Sequence, residues 1–322
     1  MEKQYKLNLY LLLMKNKKII IGSRGSKLAL LYAKRVKESF LNNNHKLNTD
    51  LIEIKIIKTA GDINQTERLS EIGGKGLFSK QIEEELLEKK IDIAAHALKD
   101  LPSIETKGLV TDVFLKRNDP REVIISKNSK NFYELENKSV IGTSSSRRSA
   151  QIKELRKDLT IKLIRGNIDT RIKKLEEGKY DAIILAIAGV KMLGYEKKIS
   201  QIFSPSEILP SVGQGVIAIQ RRESDNKINE IIKNLNDENT FLRVLAEREM
   251  LKVLGGDCDT AVAGLATIVN EKIFLDCELF SNDFSKKFIY HIEGKKSDAK
   301  KIGNKAGKNL ILQAGDNYKI KK

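Results

Sequence analysis

One nine-residue pattern occurs twice in this chain, as Leu86-Leu87-Glu88-Lys89-Lys90-Ile91-Asp92-Ile93-Ala94 and as Leu175-Glu176-Glu177-Gly178-Lys179-Tyr180-Asp181-Ala182-Ile183. Each copy reads as a helix end, a basic turn and a strand led by aspartate. The flanking sequence repeats the same grammar. Lys18 to Gly22 is a β-rich run broken by Ser23-Arg24-Gly25-Ser26, and a helical pattern follows through Phe40. Leu51 to Lys58 is a second strand, Gly73-Gly74-Lys75-Gly76 leads into a helix over Leu77 to Lys89, and Ile91 to Ala97 is a strand ending in Leu98-Lys99-Asp100-Leu101-Pro102. In the second copy Ser139 to Gly142 and Thr160 to Arg165 read as strands, and Arg147 to Leu155 and Thr170 to Glu177 as helices. Two similar α/β domains facing a shared cleft are expected. Their polar groups gather at strand carboxyl ends and helix amino ends, where open α/β sheets bind ligands.

Beyond Gln214 the pattern changes. Helices around Asn226 to Leu235 and Asn239 to Leu251 precede alternating strands from Ala261 to His291, and Asp298 to Leu312 closes with a helix, which predicts a small α+β third domain. A length of 322 residues suits two or three domains.

Lys plus Arg (59) exceeds Asp plus Glu (43) by 16, so an anionic partner is expected: nucleic acid, an acidic membrane surface, or a polycarboxylate or phosphate ligand. Part of this excess is solvated lysine in runs such as Lys15 to Lys18 and Lys295 to Lys301, so charge alone does not choose among them. The two cysteines, Cys258 and Cys277, form no CxxC or Cys/His cluster, which points away from a disulfide framework or zinc site and toward a reducing, cytoplasmic setting. The apolar run Leu7 to Met14 lacks a small-residue cleavage site and reads as an extension, with Met14 an alternative start.

The chemistry lies in the turns. Arg24, Lys75, Lys99, Arg147, Arg148, Arg165 and Arg171 all stand at or beside expected strand-to-helix turns. A planar guanidinium matches a carboxylate through two hydrogen bonds, and helix amino ends add backbone donors. Any one of these residues, taken singly, is most simply a surface or salt-bridge residue; seven at equivalent positions fit a ligand with many carboxylates. Thr143-Ser144-Ser145-Ser146 reads as a helix cap or, ahead of Arg147-Arg148, as an anion nest. Asp100 is the only acid among these residues, and two readings stand: a carboxylate that shuttles a proton or steadies a cation, or a cap for the turn before Pro102. His96 reads as a core or supporting residue of its strand. Cys258 sits in Leu254-Gly255-Gly256-Asp257-Cys258-Asp259-Thr260, an exposed setting whose acids raise a thiol pKa, so it suits attachment better than fast nucleophilic attack. Cys277 reads as a small core residue of a strand.

In order and spacing the chain resembles the porphobilinogen deaminases. The resemblance rests on Ser23-Arg24-Gly25-Ser26-Lys27-Leu28-Ala29, Gly73-Gly74-Lys75-Gly76-Leu77-Phe78, His96-Ala97-Leu98-Lys99-Asp100-Leu101-Pro102, Asp119-Pro120-Arg121, Gly142-Thr143-Ser144-Ser145-Ser146-Arg147-Arg148, Arg165-Gly166-Asn167, Val212-Gly213-Gln214-Gly215 and the Cys258 loop. It implies two periplasmic-binding-protein-like α/β domains around a cleft plus a small α+β C-terminal domain. The chain crosses to the second domain near Lys116 and returns near Ser211, giving domains of 1–115 with 216–236, 116–215 and 237–322. It implies a cytoplasmic, monomeric transferase of haem biosynthesis, with no nucleic-acid, membrane or metal partner, that condenses four porphobilinogen molecules on a dipyrromethane cofactor attached through Cys258. By the same resemblance Asp100 assists loss of ammonia and stabilises the methylene-pyrrolenine cation. Arg24, Ser26, Lys75, Lys99, Thr143, Ser144, Ser145, Arg147, Arg148, Arg165 and Arg171 hold acetate and propionate groups, and Phe78 and Gln214 line the cleft.

The sequence departs from the family at Ala97 (often Ser), Ser146 (apolar), Glu122 (Asp) and Ala261-Val262 (Pro-Ile), none of which removes an attachment group or a charge. A non-catalytic anion-binding protein is the alternative from another class, and the conjunction of Asp100 with Cys258 argues against it. A nucleic-acid-binding role is opposed by the absence of aromatic-basic interleaving.

Overall fold

The computed structural model describes residues 18–43, 49–59, 76, 79–255 and 260–318. They fall into two compact units, one from the described parts of Met1–Asn64 with Gly76–Arg117 and Val216–Phe241, the other from Asn118–Gly215 and the described parts of Leu242–Lys322.

The first unit holds β1 (Ile19–Arg24), α1 (Lys27–Asn43), β2 (Ile52–Ile57), α2 (Lys80–Leu87), β3 (Ile93–Ala97) and β4 (Leu109–Phe114). The second begins with β5 (Glu122–Ser126), β6 (Val140–Gly142), α3 (Ser146–Leu155), β7 (Thr160–Lys162), α4 (Ile168–Glu176), β8 (Ala182–Ala186), α5 (Ile187–Met192) and β9 (Gln201–Ile202). The chain then gives the first unit β10 (Ile217–Arg222) and α6 (Asn226–Ile232).

The two sheets have one topology. Their orders are β2-β1-β3-β10-β4 and β7-β6-β8-β5-β9. In each, the first three strands are parallel, and the fourth runs antiparallel to both neighbours. Helices cover such strands on both faces, so they read as unbroken apolar runs; β8 is buried along its whole length. β1–β3 and β6–β8 are the strands the sequence predicts. β4, β5, β9 and β10 are additions that no local repeat announces.

The repeated nonapeptide does the same work in both units. Asp92 accepts a hydrogen bond from the Ile20 amide at 2.9 Å, and Asp181 one from the Val140 amide at 2.7 Å, so the aspartates tie the start of β3 to that of β1 and the start of β8 to that of β6. The turn before it needs a left-handed residue, supplied by Gly178 at φ 76° and by Lys89 at φ 60°.

The remaining elements are α7 (Glu238–Leu254), β11 (Val262–Val269), β12 (Lys272–Phe280), β13 (Lys287–Lys295) and α8 (Ala299–Ala314). The three strands form an antiparallel sheet in sequence order, with Ile273, Leu275, Cys277 and Leu279 buried on one face of β12 against the small residues of α8. This is the α+β part the sequence predicts. Buried Glu247 of α7 accepts hydrogen bonds from the Gly213 amide at 2.7 Å and the Ala266 amide at 2.8 Å, fixing the segment that leads back to β10. Gly215 closes that segment at φ 81°, and a Cβ there would meet the Asn118 carbonyl oxygen at 2.7 Å.

Candidate active site

In the first unit the expected site residues gather where β1 and β3 end. β1 runs on through Arg24, one turn before α1, so the strand that the sequence ends at Gly22 delivers the guanidinium itself. Ser26 accepts a hydrogen bond from the Ala29 amide at 3.3 Å and caps α1. β3 passes into a single 3-10 turn, Leu98–Asp100, with Leu98 buried, Lys99 exposed and Asp100 half-buried. No described residue donates a hydrogen bond to the Asp100 carboxylate, so its reading as a turn cap does not hold. Tyr32 of α1 went unremarked in the sequence; burial, and then the charge of Asp100, push its phenol well above the usual tyrosine range, so it stays a neutral donor.

In the second unit the turns after β6 and β7 are joined by a hydrogen bond from the Thr143 amide to the Lys162 carbonyl at 3.1 Å. Thr143 accepts from the Ser145 amide at 3.2 Å, Ser145 caps α3 by accepting from the Arg148 amide at 3.4 Å, and Ser144 is exposed. Ser145 thus caps α3, and the Thr143, Ser145 and Arg148 amides are all taken by partners within the protein.

Arg147 and Arg148 are buried in the first turn of α3 and converge on one carboxylate. Arg147 Nη2 donates to Glu122 Oε1 at 2.7 Å; Arg148 donates through Nε to Oε1 at 3.1 Å and through Nη2 to Oε2 at 2.8 Å. Backbone carbonyls of Leu209 and Ile184 take further guanidinium protons at 2.9 and 3.1 Å. Glu122 is fully buried on β5. Asp100 is therefore not the only acid among the basic residues. The sequence hid Glu122 because it belongs to a strand paired with β8, far along the chain from α3. Burial pushes the Arg147 guanidinium down, and Glu122 with, more weakly, Glu278 opposes the shift; two guanidinium groups share the one carboxylate of Glu122.

Arg165 is half-buried after β7, and no described residue pairs with its guanidinium, which desolvation alone pushes down. Arg171 Nε donates to the Gly166 carbonyl at 2.8 Å and braces that turn. Gln214 is buried and donates to the Pro120 carbonyl at 2.7 Å, so it ties the returning segment to the Asp119-Pro120-Arg121 motif. Lys75, Phe78 and Cys258 lie outside the described residues. Cys277 is fully buried, and burial pushes its thiol well up, as a core residue requires.

The donor set suits a polycarboxylate: Arg165 is a half-buried cation unmatched by any described anion, and Arg147 and Arg148 share one buried carboxylate.

Comparison with known proteins gives a consistent answer. The family model described as porphobilinogen deaminase, dipyromethane cofactor binding domain, matches residues 19–230, and that described as porphobilinogen deaminase, C-terminal domain, matches residues 241–311. The porphobilinogen deaminase of Bacillus cereus is 43% identical over 300 residues, covering 92% of this chain and 95% of the relative. That of Nitrobacter hamburgensis is 39% identical over 298 residues, covering 92% and 94%. Among solved structures, the periplasmic VFT2 domain of Bordetella pertussis BvgS matches with a TM-score of 0.43 at 12% identity over 71% of this chain and 91% of that one. A Salmonella typhimurium periplasmic binding protein of high arginine specificity matches at 0.40 and 12% over 68% and 92%. The α/β class rests on the two strand orders, and the family on the matches along the chain. With both family models in register and relatives similar over nearly their whole length, the chain belongs to the porphobilinogen deaminase family.

Proposed function

We propose that the chain is a hydroxymethylbilane synthase of haem biosynthesis, a transferase that deaminates porphobilinogen, joins four molecules head to tail on a dipyrromethane held through Cys258, and releases the open tetrapyrrole by hydrolysis. The observation that carries this reading is Asp100: a half-buried carboxylate at the end of β3, with no hydrogen-bond donor among the described residues, set next to Lys99. A protein that only bound anions would gain nothing from such an acid.

The dipyrromethane, when bound, would supply the free pyrrole α-carbon that takes the first ring, each later ring joining the α-carbon of the ring before it. The rest belongs to the chain's residues. Asp100 accepts from the substrate pyrrole N–H, passes a proton toward the departing amine, and as a carboxylate opposes the positive charge left on the substrate ring. Arg24 and Lys99 at the first sheet, and Arg165 at the second, take substrate and cofactor carboxylates, with Ser26, Thr143, Ser144 and Ser145 adding hydroxyl or amide donors. Arg147 and Arg148 reach a ligand carboxylate only by sharing it with Glu122. Arg171 and Gln214 hold turns in place. Lys75 and Phe78 are assigned to the same site. We place domain boundaries at 1–115 with 216–236, 116–215 and 237–322, and the enzyme in the cytoplasm as a monomer.

The test is the intact mass of the purified chain beside that of Cys258→Ser. A mass increment of two deaminated pyrroles on the first and none on the second is expected. An unmodified parent that stays unmodified after incubation with porphobilinogen would overturn the reading in favour of anion binding.

A further inference from the structure

Polar side chains that the scheme above leaves unused collect on one face of the first sheet. In the pairing of β3, β10 and β4, Ala218 lies opposite His96, and Gln220 opposite both Ala94 and Thr111. Paired residues share a face, and this one is covered by α2: Gln220 Nε2 donates to Glu83 Oε1 at 2.9 Å, while Thr106 donates to Glu83 Oε2 at 2.8 Å. Gln220 Oε1 and His96 Nε2 are both buried and make no hydrogen bond of good geometry, although the two side chains lie close enough for Gln220 to act on the ring. Groups of this kind are costly to bury and call for a reason.

The reason lies on the other side of the ring. β1 pairs with β3 at Ile21–Ile93 and Gly22–Ala94, so Arg24 and His96, each two residues beyond the last pair, project from the same face of neighbouring strands, and the Arg24 charge acts on the ring. The imidazole therefore stands between Gln220 and Arg24, with Asp100 four residues further along its own chain. Among the described residues the charged groups around it are Arg24 from β1 and, beyond Gln220, Glu83 from α2; its paired neighbour on β10, Ala218, is uncharged. Burial first, and the Arg24 charge in addition, push the ring down to about 4 against the opposing influence of Gln220. It is thus neutral where the enzyme works.

We propose that His96 is a positioning residue, a neutral imidazole at the end of the line Glu83–Gln220–His96 that braces the Arg24 guanidinium at the ligand end of the sheet without adding or cancelling charge there. The proposal rests on the reading of Arg24 as a carboxylate holder. A cation in place of His96 would repel Arg24, and an acid would occupy it as Glu122 occupies Arg147 and Arg148.

The experiment follows the imidazole signals of the purified full-length chain by NMR as pH is lowered, with His96 assigned among the three histidines by substitution. His96 is expected to titrate near 4. Its midpoint should rise in Arg24→Gln, and should rise in the parent on addition of porphobilinogen, whose carboxylates offset the Arg24 charge. In kinetics, His96→Leu, which installs the residue type found at the matching Leu185, should raise KM for porphobilinogen about tenfold with a smaller change in kcat. His96→Gln should recover part of that loss. A His96 midpoint unmoved in Arg24→Gln, or a His96→Leu enzyme with the parental KM, would overturn the proposal. Absence of bilane formation by the parent would sink the functional reading instead, and the Arg24→Gln titration would still decide on the brace.

Discussion

The two five-stranded sheets share strand order and direction, yet their third strands end differently. Aligned by the repeated nonapeptide, His96 near the end of β3 and Lys99 and Asp100 after it stand where Leu185 near the end of β8 and Ala188 and Gly189 after it stand. The aspartate that leads each strand is kept, and so is the left-handed turn before it. The scaffold residues are thus duplicated and the chemical ones are not. The buried polar groups differ as well. The first sheet buries a line of one carboxylate, one amide and one neutral imidazole, whereas the second buries a carboxylate clamped by two guanidinium groups. One end is arranged to leave an acid available, the other to hold an acid between two cations.

Substitutions that make the two ends alike should break this contrast. Asp100→Ala, which gives the first end the uncharged character of the second, is expected to lower the rate of bilane formation on the order of 10²–10⁴-fold. Its unfolding free energy should stay within about 0.5 kcal/mol of the parent, since the carboxylate makes no hydrogen bond to described residues. Turnover assays beside urea unfolding check both halves, and near-normal turnover would remove Asp100 from its role.

Glu122→Gln tests whether the second end depends on its ion cluster. Withdrawing the buried charge leaves two guanidinium groups facing each other and should cost about 3–5 kcal/mol. Glu83→Gln, whose partners Thr106 and Gln220 are neutral, should cost less by the same unfolding measurement. Equal losses would erase the distinction between an ionic and a neutral network. The smallest effect sharpens the repeat: Lys89→Gly, which copies Gly178 into the first turn, should raise stability by about 1 kcal/mol by relieving a left-handed lysine. A thermal midpoint that falls would mean the lysine side chain contributes more than its backbone strain costs.

The parts of the fold written in local sequence were readable. The alternation of strand and helix, the Asp-led strands and the cap at Ser145 follow from patterns a few residues long, and each element stands at its expected place with ends that differ by up to about four residues. What the sequence withheld depends on partners distant along the chain. β10 pairs with β3 across more than a hundred residues, and Glu122 meets Arg147 and Arg148 only because β5 lies against β8. Tyr32 falls in the same class, its environment set by an acid at the end of another element.

The strand order also bears on how the protein is made. In the first unit β10 lies between β3 and β4, and among the described residues β4 pairs with no other strand, so that sheet stays split until residues 217–222 leave the ribosome. At about 5–20 residues per second, β3 waits on the order of ten seconds for its neighbour. The second sheet, contained within residues 122–202, can close first. Of the two five-stranded sheets, the one that leads to Asp100 is thus the later to be completed, and in that interval it exposes an unpaired strand edge of the kind that chaperones cover.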